Sequence, residues 1–120
     1  MSIIHGDNLE VMRGMPSASI DLIYLDPPFN TGRDFGAFND RWKGVPESTG
    51  DSLIDDYIAL TARMHSKAMA SYLAFIAVRL IEMRRLMRET GSIYLHCDDT
   101  AVHYLKHVIC LLYTSPSPRD

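Results

Sequence analysis

Apolar side chains recur at steps of three and four residues along Met69, Tyr72, Leu73, Ile76, Leu80, Met83 and Met87. That spacing lines one face of an α-helix and predicts a helix over residues 66–88. Gly91 follows as its breaker. Arg79, Arg84, Arg85 and Arg88 crowd the last turns, where cations suit the negative end of the helix dipole. Residues 20–25 follow another rule. They are apolar apart from Asp21, rich in β-formers, and read as a buried parallel strand. Asp26-Pro27-Pro28 ends that strand, because proline cannot continue a central ladder. Residues 92–97 read as a second strand, leading into Asp98 and Asp99.

Weaker signals fill the gaps. Residues 3–5 suggest a short strand with Gly6-Asp7-Asn8 as its exit turn. Asn8 or Asp7 then caps a short helix over 9–15, stopped by Pro16. A helix over 51–62 takes Asp51 or Ser52 as its cap, and Thr100 caps a further helix through 112. Residues 30–50 hold four of the seven glycines among charged residues and form a long polar loop. Loops of that length in compact domains usually serve function. Residues 114–120 are polar, contain Pro116 and Pro118, and carry no folding signal. Strands alternating with helices at these spacings predict an α/β protein with a parallel sheet.

Composition narrows the function. The 120 residues suit one small domain or a piece of a larger one, and 47% are apolar, enough for a packed core. A formal net charge of -3 argues against binding nucleic acid by charge alone, and so against a non-catalytic nucleic-acid-binding module built on a basic stripe. Two cysteines, Cys97 and Cys110, make neither a disulfide scaffold nor a four-cysteine zinc site. The N-terminus lacks the pattern of a signal peptide and no apolar run is long enough to span a membrane, so a cytoplasmic protein is expected.

In open α/β sheets, ligands bind beyond the carboxyl ends of the strands. Each predicted strand carries an acid there: Asp7, Asp26 and Asp98. Asp26-Pro27-Pro28-Phe29 is the most specific segment. Neither proline has an N–H, so the turn offers oxygen acceptors with few competing donors. Phe29 adds a flat apolar surface. Together they suit a planar group bearing an amino substituent, its hydrogens on the oxygens and its ring on Phe29. A plain Pro-Pro turn with an aromatic in the core is the alternative.

DPPF after an apolar strand resembles the catalytic motif of DNA amino-methyltransferases that act on adenine N6 or cytosine N4. IIHGDNLEVM, residues 3–12, resembles that family's opening strand and turn, and GSIYLHCDDTAVHYLK, residues 91–106, its next strand and helix. The glycine-rich F-x-G-x-G cofactor turn is absent. The resemblance is therefore to the circularly permuted group, in which that motif follows the catalytic one. It implies part of a Rossmann-like class I methyltransferase sheet, incomplete here, with S-adenosylmethionine as cofactor and double-stranded DNA as partner. A restriction endonuclease is a further partner to expect, and no metal is. The implied catalytic residues are Asp26, Pro27, Pro28 and Phe29, and Asp7 is implied as a contact to the cofactor's adenine. Arg33, Arg41 and Lys43, with Trp42, are candidates to touch DNA. Adenine is favoured, since cytosine-N4 enzymes more often carry Ser at the position of Asp26. Residues 1–109 then form the N-terminal part of the catalytic domain. Residues 110–120 resemble a translated sequencing adapter and read as a non-native tail, so the chain is expected to be inactive by itself.

Other constellations are weaker. A Walker B strand also ends in Asp, but no P-loop sequence accompanies it. His103 and His107 lie four apart without the glutamate of H-E-x-x-H and read as a half-exposed helix face. Cys97 beside His96 reads as a small buried apolar residue. The arginines of 79–88 read as a solvated helix end, paired with Glu82 and Glu89.

Overall fold

A computed structural model describes residues 2–27 and 48–114. In chain order they form α1 (Asn8–Arg13), β1 (Ile20–Leu25), α2 (Ser52–Met64), α3 (Lys67–Leu86), β2 (Met87–Leu95) and α4 (Val102–Thr114). The two strands pair in parallel, with Leu22, Ile23, Tyr24 and Leu25 opposite Ser92, Ile93, Tyr94 and Leu95. The connection between them carries α2 and α3, as parallel pairing requires a long crossover. The expected α/β architecture is present as a two-stranded parallel sheet among the described residues.

The centre of the molecule is α3. Met69, Tyr72, Leu73, Ile76, Leu80 and Met83 are all buried, and the burial extends around the helix to Ala70, Ala77 and Val78. A helix apolar on most sides must be enclosed, and α1, α2, α4 and β2 all pack against it. Ile54 from α2, Met12 from α1 and Leu105, Val108 and Leu112 from α4 complete the core. Each large side chain fully buried there contributes roughly 1.5–3 kcal/mol. Ile23, Leu25, Ile93 and Leu95 turn toward this core. The opposite face of the sheet leaves Leu22, Tyr24 and Tyr94 exposed.

Short polar side chains start the helices. Asp7 accepts from the Leu9 N–H at 3.3 Å, and Asp51 from Leu53 and Ile54 at 3.0 and 3.2 Å. The Ser66 hydroxyl accepts from Met69 at 3.0 Å. The turn before α4 is capped by Asp98, not Thr100: its carboxylate accepts from the Ala101 N–H at 3.1 Å. An aspartate three residues ahead reaches that donor, whereas Thr100 lies inside the turn. α4 runs to Thr114 and sends Leu112, only 2% exposed, into the core.

Gly91 is not the stop of α3. The helix ends at Leu86 and the chain enters β2 directly at Met87, whose backbone is extended. Ile20 pairs with Met87 but Leu22 with Ser92, so Arg88 to Gly91 form an enlarged bulge opposite Asp21. A Cβ on Gly91 would sit 3.1 Å from the Asp21 carbonyl oxygen and 3.0 Å from that of Arg88. Glycine is therefore needed for close backbone approach inside the sheet. Residues 3–5 form no strand, and Ile3 is 93% exposed. No described strand lies beside them, and a segment so short has no ladder of its own. Among the described residues no helix is long and apolar enough to cross a membrane.

Candidate functional site

At the carboxyl end of β1 the chain opens onto a cleft of about 310 Å³. Asp26 and Pro27, the first residues after the strand, form one side. The turn Gly6-Asp7-Asn8 forms another, and Phe75, Ile76 and Arg79 of α3 form the floor. Three sequence signals set this geometry. The strand delivers Asp26, the N-cap of α1 fixes Asp7, and the apolar stripe of α3 brings its middle turns under both.

Arg79 links two of these elements. Its Nη2 donates to Asp7 Oδ1 at 2.8 Å, its Nε to Asn8 Oδ1 at 2.8 Å, and its Nη1 to the Phe75 carbonyl at 3.0 Å. Its guanidinium carbon lies 3.7 Å from the centre of the Phe75 ring, within the range of a cation–π contact. Only 8% of Arg79 is exposed. A buried cation is tolerated where its donors are satisfied, and all three of its nitrogens have acceptors.

The two carboxylates of the cleft differ. Burial alone would raise the Asp7 carboxyl. The Arg79 hydrogen bond, the Leu9 N–H and the charges of Arg79 and Arg13 together outweigh it and hold the group below the usual carboxylate range. Asp26 is exposed, and no described residue donates to its carboxylate. Pro27 is buried behind it.

Of the three strand-end acids, then, Asp7 and Asp26 meet and Asp98 does not. Asp98 caps the turn before α4. Its charge, after the larger effect of burial, helps to raise the Tyr72 hydroxyl and the Cys97 thiol above their ordinary values. A raised thiol is a poor nucleophile, but Cys97 is half-buried and lies past the end of β2, not buried inside a strand as expected. Pro28, Phe29, Arg33, Arg41, Trp42 and Lys43 lie outside the described residues.

Arg79, Asn8 and Phe75 were not legible as site residues. The reading of the arginines as one solvated helix end is corrected. Arg79 is buried in the cleft floor. Arg85 does meet Glu82 at 3.1 Å, but it also donates to the carbonyls of Met12 and Met15 at 2.7 and 3.0 Å. Arg88 pairs with Asp21 at 2.8 Å, not with Glu89. The available signal was position: Arg79 falls on the stripe of Tyr72, Ile76 and Met83, and an arginine on a buried face must find partners. His107 stacks on Tyr57 with ring centres 5.2 Å apart, and no group of three or more metal-ligating side chains converges among the described residues.

The cleft lies beyond the carboxyl end of β1, the place where open α/β sheets bind ligands. The chain belongs to the N6/N4 DNA methylase family, whose model matches residues 20–114. It is 37% identical over 114 residues to the Mod subunit of the type III restriction-modification enzyme EcoP15I of Escherichia coli, covering 88% of this chain and 18% of that protein. It is 36% identical over 106 residues to the EcoPI Mod subunit of Escherichia phage P1, covering 81% of this chain and 16% of that one. To the DNA adenine methyltransferase YhdJ of Escherichia coli strain K12 it is 30% identical over 113 residues, covering 88% and 36%. The chain thus spans about a sixth to a third of the length of these relatives. No solved structure matches it.

Proposed function

We propose that this chain carries the catalytic-motif part of a site-specific DNA methyltransferase. Its enzyme transfers a methyl group from S-adenosylmethionine to the exocyclic amino group of a flipped base, adenine N6 in preference to cytosine N4. The supporting observation is the meeting of Asp26, Pro27 and Asp7 in one cleft beyond β1, within a chain of the DNA methylase family. The adenine preference follows DPPF and the name of the YhdJ relative. The sheet is read as part of a Rossmann-like class I fold, in a cytoplasmic enzyme acting on double-stranded DNA. The restriction-modification relatives suggest a restriction endonuclease partner.

The cleft suits such ligands. Its volume, about 310 Å³, is at the lower end of the roughly 300–1,000 Å³ of small-molecule clefts. It offers two carboxylates to amino hydrogens and part-exposed apolar surface from Phe75 to a ring. When bound, S-adenosylmethionine supplies a methyl carbon made electrophilic by its sulfonium.

The protein's part is to hold and polarise the acceptor. The target base leaves the duplex, because its amino group is otherwise tied up in pairing. The Asp26 carboxylate and the Pro27 carbonyl accept its two amino hydrogens. That draws the nitrogen lone pair out of ring conjugation and aims it along the line of displacement. As the N–C bond forms, the S–C bond would break with its electron pair left on sulfur, and the surplus proton on nitrogen would leave past Asp26 to solvent. Proline at positions 27 and 28 removes backbone donors that would compete for those oxygens. Phe29 stacks on the base. Asp7 accepts from the adenine of the cofactor, and Arg33, Arg41 and Lys43 touch DNA. Catalysis then rests on positioning and electrostatics.

Asp26→Ala tests this reading in the methyltransferase that carries this chain. Losing one preorganised partner of the reacting group costs about a hundred-fold or more in rate. Methyl transfer to an adenine-containing duplex should collapse while S-adenosylmethionine binding, followed by calorimetry, stays near wild type. Transfer at the wild-type rate by the Ala variant would remove Asp26 from the mechanism.

A further inference from the structure

We infer that Arg79 is a positioning residue, which fixes the Asp7 carboxylate through Oδ1 and so leaves Oδ2 as a pre-set acceptor for a neutral hydrogen-bond donor in the cleft. Both hydrogen bonds to Asp7, from Leu9 N–H and from Arg79 Nη2, end on Oδ1. Among the described residues none donates to Oδ2. The guanidinium is itself held on three further sides by Asn8, the Phe75 carbonyl and the Phe75 ring. Its reach across 72 residues of sequence ties the turn before α1 to the middle of α3. A carboxylate on an exposed turn would otherwise sample several rotamers.

The pairing also selects the ligand. Arg79 at 2.8 Å balances the charge of Asp7, so this side of the cleft carries little net charge to attract a cation. Its remaining oxygen still accepts an N–H or O–H in a fixed direction. A neutral amino-bearing heterocycle edge therefore fits better than an ammonium or a metal ion. Preorganised acceptors of this kind gain affinity because their ordering cost is met on folding.

The choice of S-adenosylmethionine as probe rests on the function proposed above; the claim about Arg79 and Asp7 does not. Charged groups near Asp7 are Arg13 on α1, Arg79 on α3 and Asp26 at the end of β1. In the methyltransferase that carries this chain, Arg79→Met and Arg79→Lys are compared with wild type by thermal melting, calorimetric binding of S-adenosylmethionine, and NMR titration of the Asp7 carboxyl.

Arg79→Met should move the Asp7 titration upward and weaken binding about tenfold or more, since misplacing one acceptor is enough for such losses. Arg79→Lys restores a charge but not the fork. It should return the titration toward wild type while leaving binding several-fold weaker. A folded Arg79→Met with wild-type titration and wild-type affinity overturns the inference. If the Met variant does not fold, the Lys variant decides, and wild-type affinity there overturns it. If wild type itself binds no S-adenosylmethionine, the cofactor reading fails. The Asp7 titration then decides alone: an upward shift in Arg79→Met upholds the brace, and no shift in that variant refutes it.

Discussion

Across the cleft, Asp7 accepts on its Oδ1 from the Leu9 N–H and from the buried Arg79, while no described residue donates to the exposed carboxylate of Asp26. The two acids share one cavity and one chemistry, but their circumstances are opposite. Asp7 belongs to the architecture: it caps a helix, neutralises a buried cation and fixes a turn. Asp26 is delivered by its strand, and among the described residues none engages its carboxylate; Pro27 beside it is buried. An acid that stabilises the fold has spent part of its hydrogen-bonding capacity before any ligand arrives. One that no described residue engages keeps its acceptors for a reacting group. Stability and chemistry should therefore separate between them.

The largest expected effect breaks the Asp26 side from a distance. Gly91→Val places a branched side chain where a single Cβ already meets the Asp21 and Arg88 carbonyl oxygens at 3.1 and 3.0 Å. Overpacking against backbone typically costs about 1–3 kcal/mol, and more where the backbone cannot move. The bulge sets the register that ends β1 at the cleft. The denaturation midpoint should fall sharply, and a variant as stable as wild type would show that the register does not depend on Gly91.

Next comes the contrast between the acids themselves. Asp7→Ala removes a helix cap, worth about 1 kcal/mol, and a charge-assisted hydrogen bond worth about 1.5–3 kcal/mol, discounted here because Asp7 is half exposed. Asp26→Ala should change stability by no more than about 0.5 kcal/mol, as for exposed positions without partners. Chemical denaturation of both variants measures the difference. Equal midpoints would erase the distinction drawn here.

The smallest effect is in pH. Asp7 is held below its ordinary value of 3.8, so the folded state binds a proton there less readily than the unfolded chain. Its contribution to stability is complete above that value and declines as pH falls through the folded pKa. Asp7→Asn should therefore flatten the acid limb of the stability profile below about pH 4 while leaving neutral pH little steeper or shallower. An acid limb as steep in the variant as in wild type would assign that limb to other groups, Asp55 first, which Ser48 and Thr49 also hold low against the effect of burial.

The amino-acid sequence by itself determined the elements and one side of the cleft. The stripe from Met69 to Met87 predicts a helix with one apolar face, residues 20–25 predict β1 to the residue, and Asp7 and Asp51 are among the expected caps. These are local properties: a side chain's period, a cap two or three residues from its donor, a proline that ends a ladder. Asp26-Pro27 could be placed for the same reason, because a strand's last residue lies at its carboxyl end in any parallel sheet.

Only the tertiary structure decided the rest. Gly91 looked like a helix stop because glycine has the same sequence signature there as in a bulge, and only the strand opposite distinguishes them. Residues 3–5 looked like a strand because pairing partners cannot be read from an isolated segment. Arg79 looked like one of a row of solvated arginines, since nothing local reveals that Asp7, 72 residues earlier, lies against it. Side-chain period and capping are set within a few residues of chain. Burial, pairing and charge balance are set by whichever distant residues the fold brings together.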